Sequence, residues 1–475
     1  MLVEAQVSHT PAILVCGPAG TGKSTFSRYL TNSLLSGKYA STGIAYLDID
    51  PGQPEYSPPG EIALCHITEF NLGPPFTHPI SSCTVRSHAI GTLTPRDDSN
   101  HYLHCVSNLL DHYQDLLHRQ NGCPLIVNCC GWIQGMGLEL LQEVAHCVSP
   151  TDIVYTSDVG PADVVALLHS ICTQRKAQLH MLESQPANAI RRVPADSRLM
   201  QTMSYFHLDE PEIGEMRWNP APIHTFDLTR LSYDGDDPDI MGICLYGEYL
   251  DPEVFDDVVD GSVLSLVVVE DDDILPRDYI STSYRAEASE NVNGDAISDT
   301  SSHETIVSQK LSVQRTKCGL PYIFSRYSAY TALDPSKTRS IGQVLVRKID
   351  TNSKELHVVT PVPKTAIDAY RFQGLKMVLV RGRVDIPSWA YQEEYYAAKA
   401  AQRRASVLSD CDKTVQDEDD GAVESGSTGF DLVAWAEAAP WVHLVEDNDS
   451  VRKRGKVLRV RRNLEMANRV PKKKP

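Results

Sequence analysis

The sequence lacks the features that mark membrane, secreted and nucleic-acid-binding proteins. No apolar run among its 475 residues reaches the ~18 residues of a membrane-spanning helix, so we expect no integral membrane protein. The N-terminal stretch has no basic segment followed by an apolar core, which argues against a secretory signal peptide. Basic residues are also few: 44 Lys and Arg stand against 62 Asp and Glu, a net charge of -18. Taken over the whole chain, that charge argues against nucleic-acid binding.

The twelve cysteines contain no CxxC pair. The only close set is the adjacent pair Cys129 and Cys130, whose spacing suits zinc poorly. Because no secretory signal is found, we expect all twelve to be reduced thiols, mostly buried, in a cytosolic or nuclear protein.

The first part of the chain, residues 11–215, alternates short apolar runs with amphipathic segments. The apolar runs lie at 13–15, 44–47, 125–127 and 153–155, and the helical faces begin near Phe26, Val106 and Leu138. This alternation is typical of βαβ units, so we predict an α/β domain with a parallel sheet flanked by helices.

Residues 222–450 have a different pattern, in which short strands recur with turn signals and helical periodicity is weak. Strands are predicted at 242–246, 262–269, 342–349, 356–359 and 377–380, which indicates a smaller β-rich domain, either a barrel or a sandwich. Two stretches, 271–317 and 403–429, are rich in Ser, Asp, Glu and Asn, and we predict disordered inserts there.

Residues 451–475 form a basic tail. From Arg452 onward the tail has eleven Lys or Arg and one acidic residue, so the charge of the chain is sharply divided between an acidic body and this tail. Local charge within a Debye length of ~8–10 Å, rather than the total, decides a contact with phosphate. A disordered terminus or nuclear-localisation signal and a salt-sensitive contact with RNA are both compatible with the pattern.

The strongest motif is a complete phosphate-binding loop, GxxxxGK[ST], placed after an apolar strand and before an amphipathic helix. Its glycines allow successive backbone N–H groups to surround phosphate oxygens, and the following helix begins with positive potential. Lys23 is predicted to reach the β- and γ-phosphates and Ser24 to bind Mg²⁺. The predicted nucleotide-binding residues are Gly17, Pro18, Ala19, Gly20, Thr21, Gly22, Lys23, Ser24 and Thr25.

Two further loops are predicted at the same edge of the sheet. Asp48 and Asp50 lie where the second strand ends, and an acid there serves either the Mg²⁺ site or as a base toward an acceptor hydroxyl. We expect the side chains of Asp48 and Asp50 to point in different directions, depending on where the strand ends. Only one of the two acids is therefore expected to reach the phosphate. Trp132 lies between glycines in the loop 128–137; stacking on a nucleobase and packing beneath the loop both remain open.

Together these segments resemble the polynucleotide 5'-hydroxyl-kinase family of P-loop proteins, and in particular its fungal and animal nucleolar branch, which acts in pre-ribosomal RNA processing. The resemblance rests on GPAGTGKS, DIDPGQPEYSPPG, GTLTP at 91–95, NCCGWIQGMG, and ADSRLMQTMSYFH at 195–207. In the second region, IGQVLVRKID, LHVVTPVP and the tail segment RVRRNL carry it. It spans most of residues 11–470, without the acidic inserts.

The resemblance implies an ATP- and Mg²⁺-dependent kinase that phosphorylates RNA 5'-hydroxyl ends in the nucleus and nucleolus. Lys23 and Ser24 would hold ATP and Mg²⁺, with Asp50 as general base and a metal-site residue and Asp48 as a weaker candidate. Arg198 would be a lid arginine that neutralises the transferring phosphate, and Arg191 and Arg192 are secondary candidates. The other implied substrate-binding residues are Gln53, Asn128 and Trp132.

The resemblance also implies a partner and shows departures from the family pattern. The basic tail would dock into a HEPN endoribonuclease through Arg461, Arg462 and Asn463. Cys129 replaces a threonine that the family usually carries, which removes a hydroxyl donor. The family has a β-rich domain before the P-loop, whereas only 16 residues precede Gly17, so we expect a truncated sequence or a lineage that lost this domain.

Two other functions fit the P-loop. The first is a nucleotide-binding scaffold or switch that transfers no phosphate; the sequence has no NKxD-type guanine-reading element, which disfavours GTP but not ATP. The second is a kinase for a small molecule, which Trp132 and the β-rich region weigh against.

Overall fold

The computed structural model describes residues 10–81, 83–157, 160–184, 193–209, 216–275, 311–325, 330–385 and 387–390, together with 392, 393 and 399. The chain divides into a compact unit, Met1–Trp389, and a second unit, Ala390–Pro475, of which few residues are described. In its described residues the first unit contains two large β-sheets and one small sheet of two short strands.

The N-terminal sheet has seven strands: β1 (Ala12–Cys16), β2 (Ile44–Asp48), β3 (Glu61–Ile67), β4 (Thr84–Ala89), β5 (Leu125–Asn128), β6 (Asp152–Tyr155) and β7 (Gln178–Met181). Their order is β4-β3-β2-β5-β1-β6-β7. The neighbouring strands β2, β5, β1, β6 and β7 pair in parallel, whereas β3 is antiparallel to its neighbours β2 and β4. The strands β1, β2 and β5 are almost entirely apolar and buried, as expected for a parallel sheet covered on both faces.

Five helices belong to this part of the fold: α1 (Lys23–Leu35), α2 (Ser99–Arg119), α3 (Met136–Val148), α4 (Ala162–Arg175) and α5 (Pro194–Phe206). The apolar face of α2, which includes Val106, Leu109 and Leu116, packs with residues of α3 in one core cluster. A second cluster, with Leu35 and Tyr46, fills the opposite face of the sheet. The predicted α/β domain with helices flanking a parallel sheet is therefore confirmed.

The strands and α-helices of the second region are β8 (Thr229–Ser232), β9 (Gly242–Leu245), β10 (Gly247–Glu248), α6 (Pro252–Val259), β11 (Val263–Val269), β12 (Leu311–Arg315), β13 (Pro321–Ser325), β14 (Tyr330–Thr331), β15 (Thr338–Asp350), β16 (Glu355–Val359), α7 (Lys364–Phe372) and β17 (Lys376–Arg381). Eight of these strands form the second large sheet, in the order β12-β13-β9-β17-β11-β15-β16-β8, and β10 pairs with β14 alone. The pairing in the large sheet is mixed: β9 is parallel to β13 and β17, and the other pairs are antiparallel. The predicted β-rich region is confirmed, but these eight strands form one open sheet rather than the expected barrel or sandwich.

The two sheets meet along β3, β4 and β15. Buried Glu61 on β3 accepts a hydrogen bond from the Ser340 hydroxyl at 2.7 Å, and Arg86 on β4 donates to the Thr338 carbonyl at 2.9 Å. Arg86 also pairs with Glu270 at 2.8 Å. Polar contacts of this kind between buried groups fix the register of the two sheets.

Parts of the predicted inserts and tail lie outside the described residues, namely 276–310, 403–429 and 451–475. The prediction of a disordered insert over 271–317 is wrong at both ends. Residues 272–274 form a short 3-10 helix, and Leu275 after it is buried. Residues 311–315 form β12, because the alternation of Leu311 and Val313 with polar residues pairs this segment with β13.

Two smaller expectations concern membranes and thiols. In the described part of the chain, no helix is both long and apolar enough to cross a bilayer. The eleven described cysteines are free thiols, most of them buried, as predicted.

Candidate active site

Three predicted loops begin at one edge of the N-terminal sheet. They are the phosphate-binding loop, the loop that carries Asp50 and the loop that carries Trp132. The strands β2, β5 and β1 are neighbours, and they end at Asp48, Asn128 and Cys16. Asp48 and Asn128 are direct partners in the pairing of β2 with β5. Because parallel strands end at the same edge, the three loops that follow them share one site.

The loop between β1 and α1 has the backbone of a phosphate cradle. Gly22, just before α1, has a φ of 96°, in the left-handed region that favours glycine. At Gly17 a Cβ would lie 2.3 Å from the Thr156 hydroxyl oxygen, so no larger residue fits. The buried Lys23 amine and the Thr21 hydroxyl both donate to the Pro18 carbonyl, at 2.9 Å each. The loop is thus held in shape with the lysine folded over it.

Ser24, Asn128 and Asp48 form a chain of hydrogen bonds behind this loop. The Asn128 amide nitrogen lies 3.3 Å from the Ser24 hydroxyl and 3.1 Å from the Asp48 carboxylate. Asp48 also accepts hydrogen bonds from the backbone N–H groups of Asp50 and Glu55. Complete burial raises the pKa of Asp48 well above its ordinary value, although these donors act in the opposite direction. The structure therefore places Asn128 beside the predicted metal ligand rather than in the tryptophan-bearing loop.

Asp50 lies two residues beyond the end of β2, so the strand does end between the two acids. One oxygen, Oδ1, accepts the N–H groups of Gly52 at 3.0 Å and Gln53 at 3.2 Å. Among the described residues no donor reaches the other oxygen. Burial raises the pKa of Asp50, while the positive charges of Lys23 and Arg198 and the two backbone N–H groups lower it. Asp50 thus has a fixed orientation, one open oxygen and two cations nearby.

Helix α5 carries Arg198 to this group. Gln201, one turn further along the helix, is buried and donates to the carbonyls of Pro54 and Ser57 at 2.8 and 2.9 Å. These bonds fasten α5 to the segment that follows Asp50. The Arg198 side chain is partly exposed, and its Nε donates to Asp385 at 2.7 Å.

Close approaches of glycines bring the remaining loops together. A Cβ on Gly131 would lie 2.7 Å from the Cα of Ala19, so the tryptophan-bearing loop touches the P-loop. A Cβ on Gly52 would lie 2.8 Å from the Leu93 carbonyl oxygen, so the Asp50 segment touches the loop after β4. Both contacts require glycine and show that four loops converge on one site.

Trp132 is half-buried at the surface of this site. It packs in part against the core cluster beneath, and the Arg96 guanidinium lies 4.9 Å from its ring centre. Cys129 is buried in the same core, where its side chain makes an apolar packing contact.

The donor set of the site fits Mg²⁺. The Ser24 hydroxyl and the oxygens of Asp48 and Asp50 are hard ligands of the kind that Mg²⁺ prefers. In the described residues no group of three or more His, Cys, Asp or Glu forms a complete protein cage.

Some predicted residues do not contribute a side chain to this site, and three residues of the site were not predicted. Gln53 contributes its backbone N–H to Asp50, and Arg191, Arg192, Arg461, Arg462 and Asn463 lie outside the described residues. Sequence reasoning missed Gln201, Asp385 and Arg96. Gln201 lies in the segment 195–207 that carries the family resemblance. Its position three residues after Arg198, on the same face of a helix, was the signal that could have identified it.

Comparison with known proteins supports the resemblance. Residues 17–208 match the family described as "mRNA cleavage and polyadenylation factor CLP1 P-loop". A curated protein of Aspergillus niger, named polynucleotide 5'-hydroxyl-kinase grc3, is 36% identical over 92% of this chain and 56% of its own length. The protein of that name from Gibberella zeae is 34% identical over 91% of this chain and 58% of its own. The resemblance to polynucleotide 5'-hydroxyl kinases is therefore confirmed, and the chain spans somewhat more than half the length of these relatives.

A solved Clp1p–Pcf11p complex contains a chain that is 14% identical. The match covers 79% of this chain and 75% of that one, with a TM-score of 0.49.

Proposed function

Starting from the match of residues 17–208 to the CLP1 P-loop family, we propose that this chain is an ATP-dependent polynucleotide 5'-hydroxyl kinase acting on RNA. Relatives at about 35% identity carry that enzyme name. The observation that carries the proposal is Asp50: a carboxylate with one oxygen fixed by two backbone N–H groups and the other open, beside Lys23 and Arg198. A general base next to a P-loop suits transfer of phosphate to a hydroxyl.

In this reaction the acceptor 5'-hydroxyl gives its proton to the open oxygen of Asp50. The hydroxyl oxygen forms a bond to the γ-phosphorus of ATP as the bond from that phosphorus to the β–γ bridging oxygen breaks, and ADP leaves. Lys23 exchanges the Pro18 carbonyl for phosphate oxygens, and the terminal nitrogens of Arg198 bind the transferring group.

Mg²⁺ would be held by Ser24, with Asp48 and Asn128 fixing the orientation of the Ser24 hydroxyl through their hydrogen bonds. When bound, it neutralises charge on the phosphates. Asp48 accepts donors with both oxygens, so it positions its neighbours, whereas Asp50 has the oxygen that is open for a proton.

The test is transfer of labelled γ-phosphate from ATP to an RNA oligonucleotide with a 5'-hydroxyl end. Asp50→Asn keeps the shape and removes the base, and we expect a loss of about 10²–10⁴-fold in kcat, the usual contribution of general base catalysis. The matched control is Asp115→Asn, an exposed acid on α2, which should transfer at the wild-type rate. Normal transfer by Asp50→Asn would exclude this role for Asp50. Tight ATP binding without transfer by the wild type would instead indicate a nucleotide-binding scaffold or switch.

We propose further that the kinase works on pre-ribosomal spacer RNA in the nucleus and nucleolus with a HEPN endoribonuclease. The support is the resemblance of RVRRNL and its basic surroundings to the family tail, with Arg461, Arg462 and Asn463 as the docking residues. Removal of residues 451–475 should abolish co-purification with the nuclease and leave ATP binding unchanged. Retained co-purification would contradict the docking role.

A further inference from the structure

Arg96 and Trp132 form a contact between two loops of the candidate site. Arg96 lies in the loop between β4 and α2, and Trp132 lies in the loop after β5. The guanidinium carbon is 4.9 Å from the ring centre, within the ~6 Å range of a cation–π contact. The 21 residues of α2 lie between these loops in the chain, so the contact depends on the fold rather than on local sequence.

The Arg96 guanidinium has no anionic partner although acids follow it directly. Asp97 and Asp98 are its next neighbours, yet within the described part of the chain its guanidinium forms no ion pair and no hydrogen bond. Asp98 is already engaged, because its carboxylate caps α2 by accepting the His101 N–H at 2.9 Å. Arg96 is exposed, so its N–H donors face solvent. Such an arrangement leaves a fixed cation open to a ligand.

The loop that carries Arg96 is held by its own hydrogen bonds. The Thr92 hydroxyl donates to the Thr94 carbonyl at 2.7 Å, and the Ser99 hydroxyl donates to the Pro95 carbonyl at 2.9 Å. The Arg383 N–H donates to the Gly91 carbonyl at 2.5 Å, which ties the loop to the second sheet. The position of Arg96 is therefore set before any ligand arrives, which lowers the entropic cost of binding.

We propose that Arg96 binds the first phosphodiester of the acceptor strand, on the 3' side of the terminal nucleotide for which the family resemblance already implies Trp132 as a binding residue. This inference rests on the proposed function, because it concerns how that acceptor is recognised. A guanidinium matches the paired oxygens of a phosphate, and an aromatic face binds nucleobases of any sequence. A free nucleoside has no phosphate at this position, so the site selects a strand over a nucleoside.

The experiment measures binding of a 5'-hydroxyl RNA oligonucleotide, by fluorescence anisotropy, with Mg²⁺ and a non-hydrolysable ATP analogue present. One oligonucleotide carries a neutral methylphosphonate at its first linkage, and its partner carries it at the fifth. For the wild type we expect about tenfold weaker binding when the first linkage is neutral, which corresponds to ~1.4 kcal/mol, and no change at the fifth. Arg96→Ala and Arg96→Gln should bind the natural strand about tenfold more weakly and no longer distinguish a neutral first linkage.

The dependence on salt gives a second readout. Loss of one phosphate contact should lower the slope of log affinity against log salt by about 0.7 in Arg96→Ala. The matched control is Arg119→Ala, an exposed arginine at the far end of α2, which should behave as the wild type.

A wild type insensitive to the neutral first linkage, or an Arg96→Ala variant that stays sensitive to it, would overturn this assignment. Because the readout is binding, it is independent of catalysis. A wild type that binds as described but transfers no phosphate would overturn the proposed function and leave the Arg96 site in place.

Discussion

Arg198 on α5 donates its Nε to the carboxylate of Asp385, beyond β17, at 2.7 Å, although the two residues are 187 positions apart. The contact uses the inner nitrogen of the guanidinium and leaves both terminal nitrogens for other partners. The segment that bears Asp385 follows Arg383, whose N–H is bonded to Gly91 in the candidate site. The second sheet thereby reaches into the site and fixes the direction of a candidate catalytic arginine.

The first prediction concerns Asp385→Ala. Without the carboxylate, Arg198 loses its preferred direction, so we expect kcat for phosphate transfer to fall about tenfold, the size of ~1.4 kcal/mol in the transition state. The KM for ATP should not change, because Lys23 and the P-loop backbone are untouched. Steady-state kinetics at varied ATP measures both quantities.

Asp385→Glu should restore most of the rate, since it returns a carboxylate within reach of Nε. The control is Asp271→Ala, another exposed acid that pairs with a base, Lys337, away from the site. If Asp385→Ala instead raised the KM for ATP about tenfold and left kcat unchanged, a positioning role for Asp385 would be contradicted.

The second prediction concerns the pH dependence of transfer. Burial raises the pKa of Asp50 and the charge of Arg198 lowers it. A general base acts only when deprotonated, so kcat/KM should fall as the pH drops through this pKa, above the ordinary range of an aspartate. Replacing Arg198 with Met removes a neighbouring positive charge, which should move the acid limb of the profile to higher pH. Arg119→Met should leave the limb where it is, and a shift to lower pH in Arg198→Met would contradict the assignment of Asp50.

The third prediction concerns Asn128→Ala. The change breaks the chain that joins Ser24 to Asp48, so the serine hydroxyl loses its orienting partner. We expect the Mg²⁺ concentration for half-maximal transfer to rise about 10- to 100-fold, as for other residues that orient a metal ligand. Asn108→Ala, a change on α2 that removes a polar contact with His88 on β4, tests for a general loss of stability. An unchanged Mg²⁺ requirement would place Asn128 outside the metal site.

The P-loop and the two acids could be predicted because their chemistry lies in short contiguous segments. The sequence from Gly17 to Ser24 contains both the glycines that shape the cradle and the residues that bind phosphate. The apolar runs around it are long enough to indicate a parallel sheet. The position of Asp50 beyond the strand end also followed from local pattern.

The contacts that complete the site could not be predicted, since they join residues distant in sequence. Asp385 lies in a segment with no motif of its own, and it meets Arg198 only because β17 ends beside the loop after β4. The strands β3 and β4 were missed for a related reason: they are antiparallel and follow each other without an intervening α-helix, so the βα alternation gave no signal.

The fourth prediction concerns Glu61, which is buried where the two sheets meet and accepts hydrogen bonds from Ser87 and Ser340. Burial raises its pKa from 4.5 to about 7. The folded state therefore keeps a proton that the unfolded chain has lost, and stability is full below pH 4.5 and declines as the pH rises from about 4.5 to 7. The linked free energy is about 3 kcal/mol.

Glu61→Gln keeps the size and polarity of the side chain and removes the titration. In urea unfolding at pH 5 and pH 8, the wild type should lose stability relative to Glu61→Gln by an amount on the order of that linked free energy. Glu355→Gln, on a partly exposed side chain of β16, controls for carboxylates in general. A wild type and Glu61→Gln that lose equal stability between the two pH values would mean that Glu61 is already charged in the folded protein at pH 5. The two serine hydroxyls would then be donors to a buried carboxylate, and the junction of the sheets would be insensitive to pH.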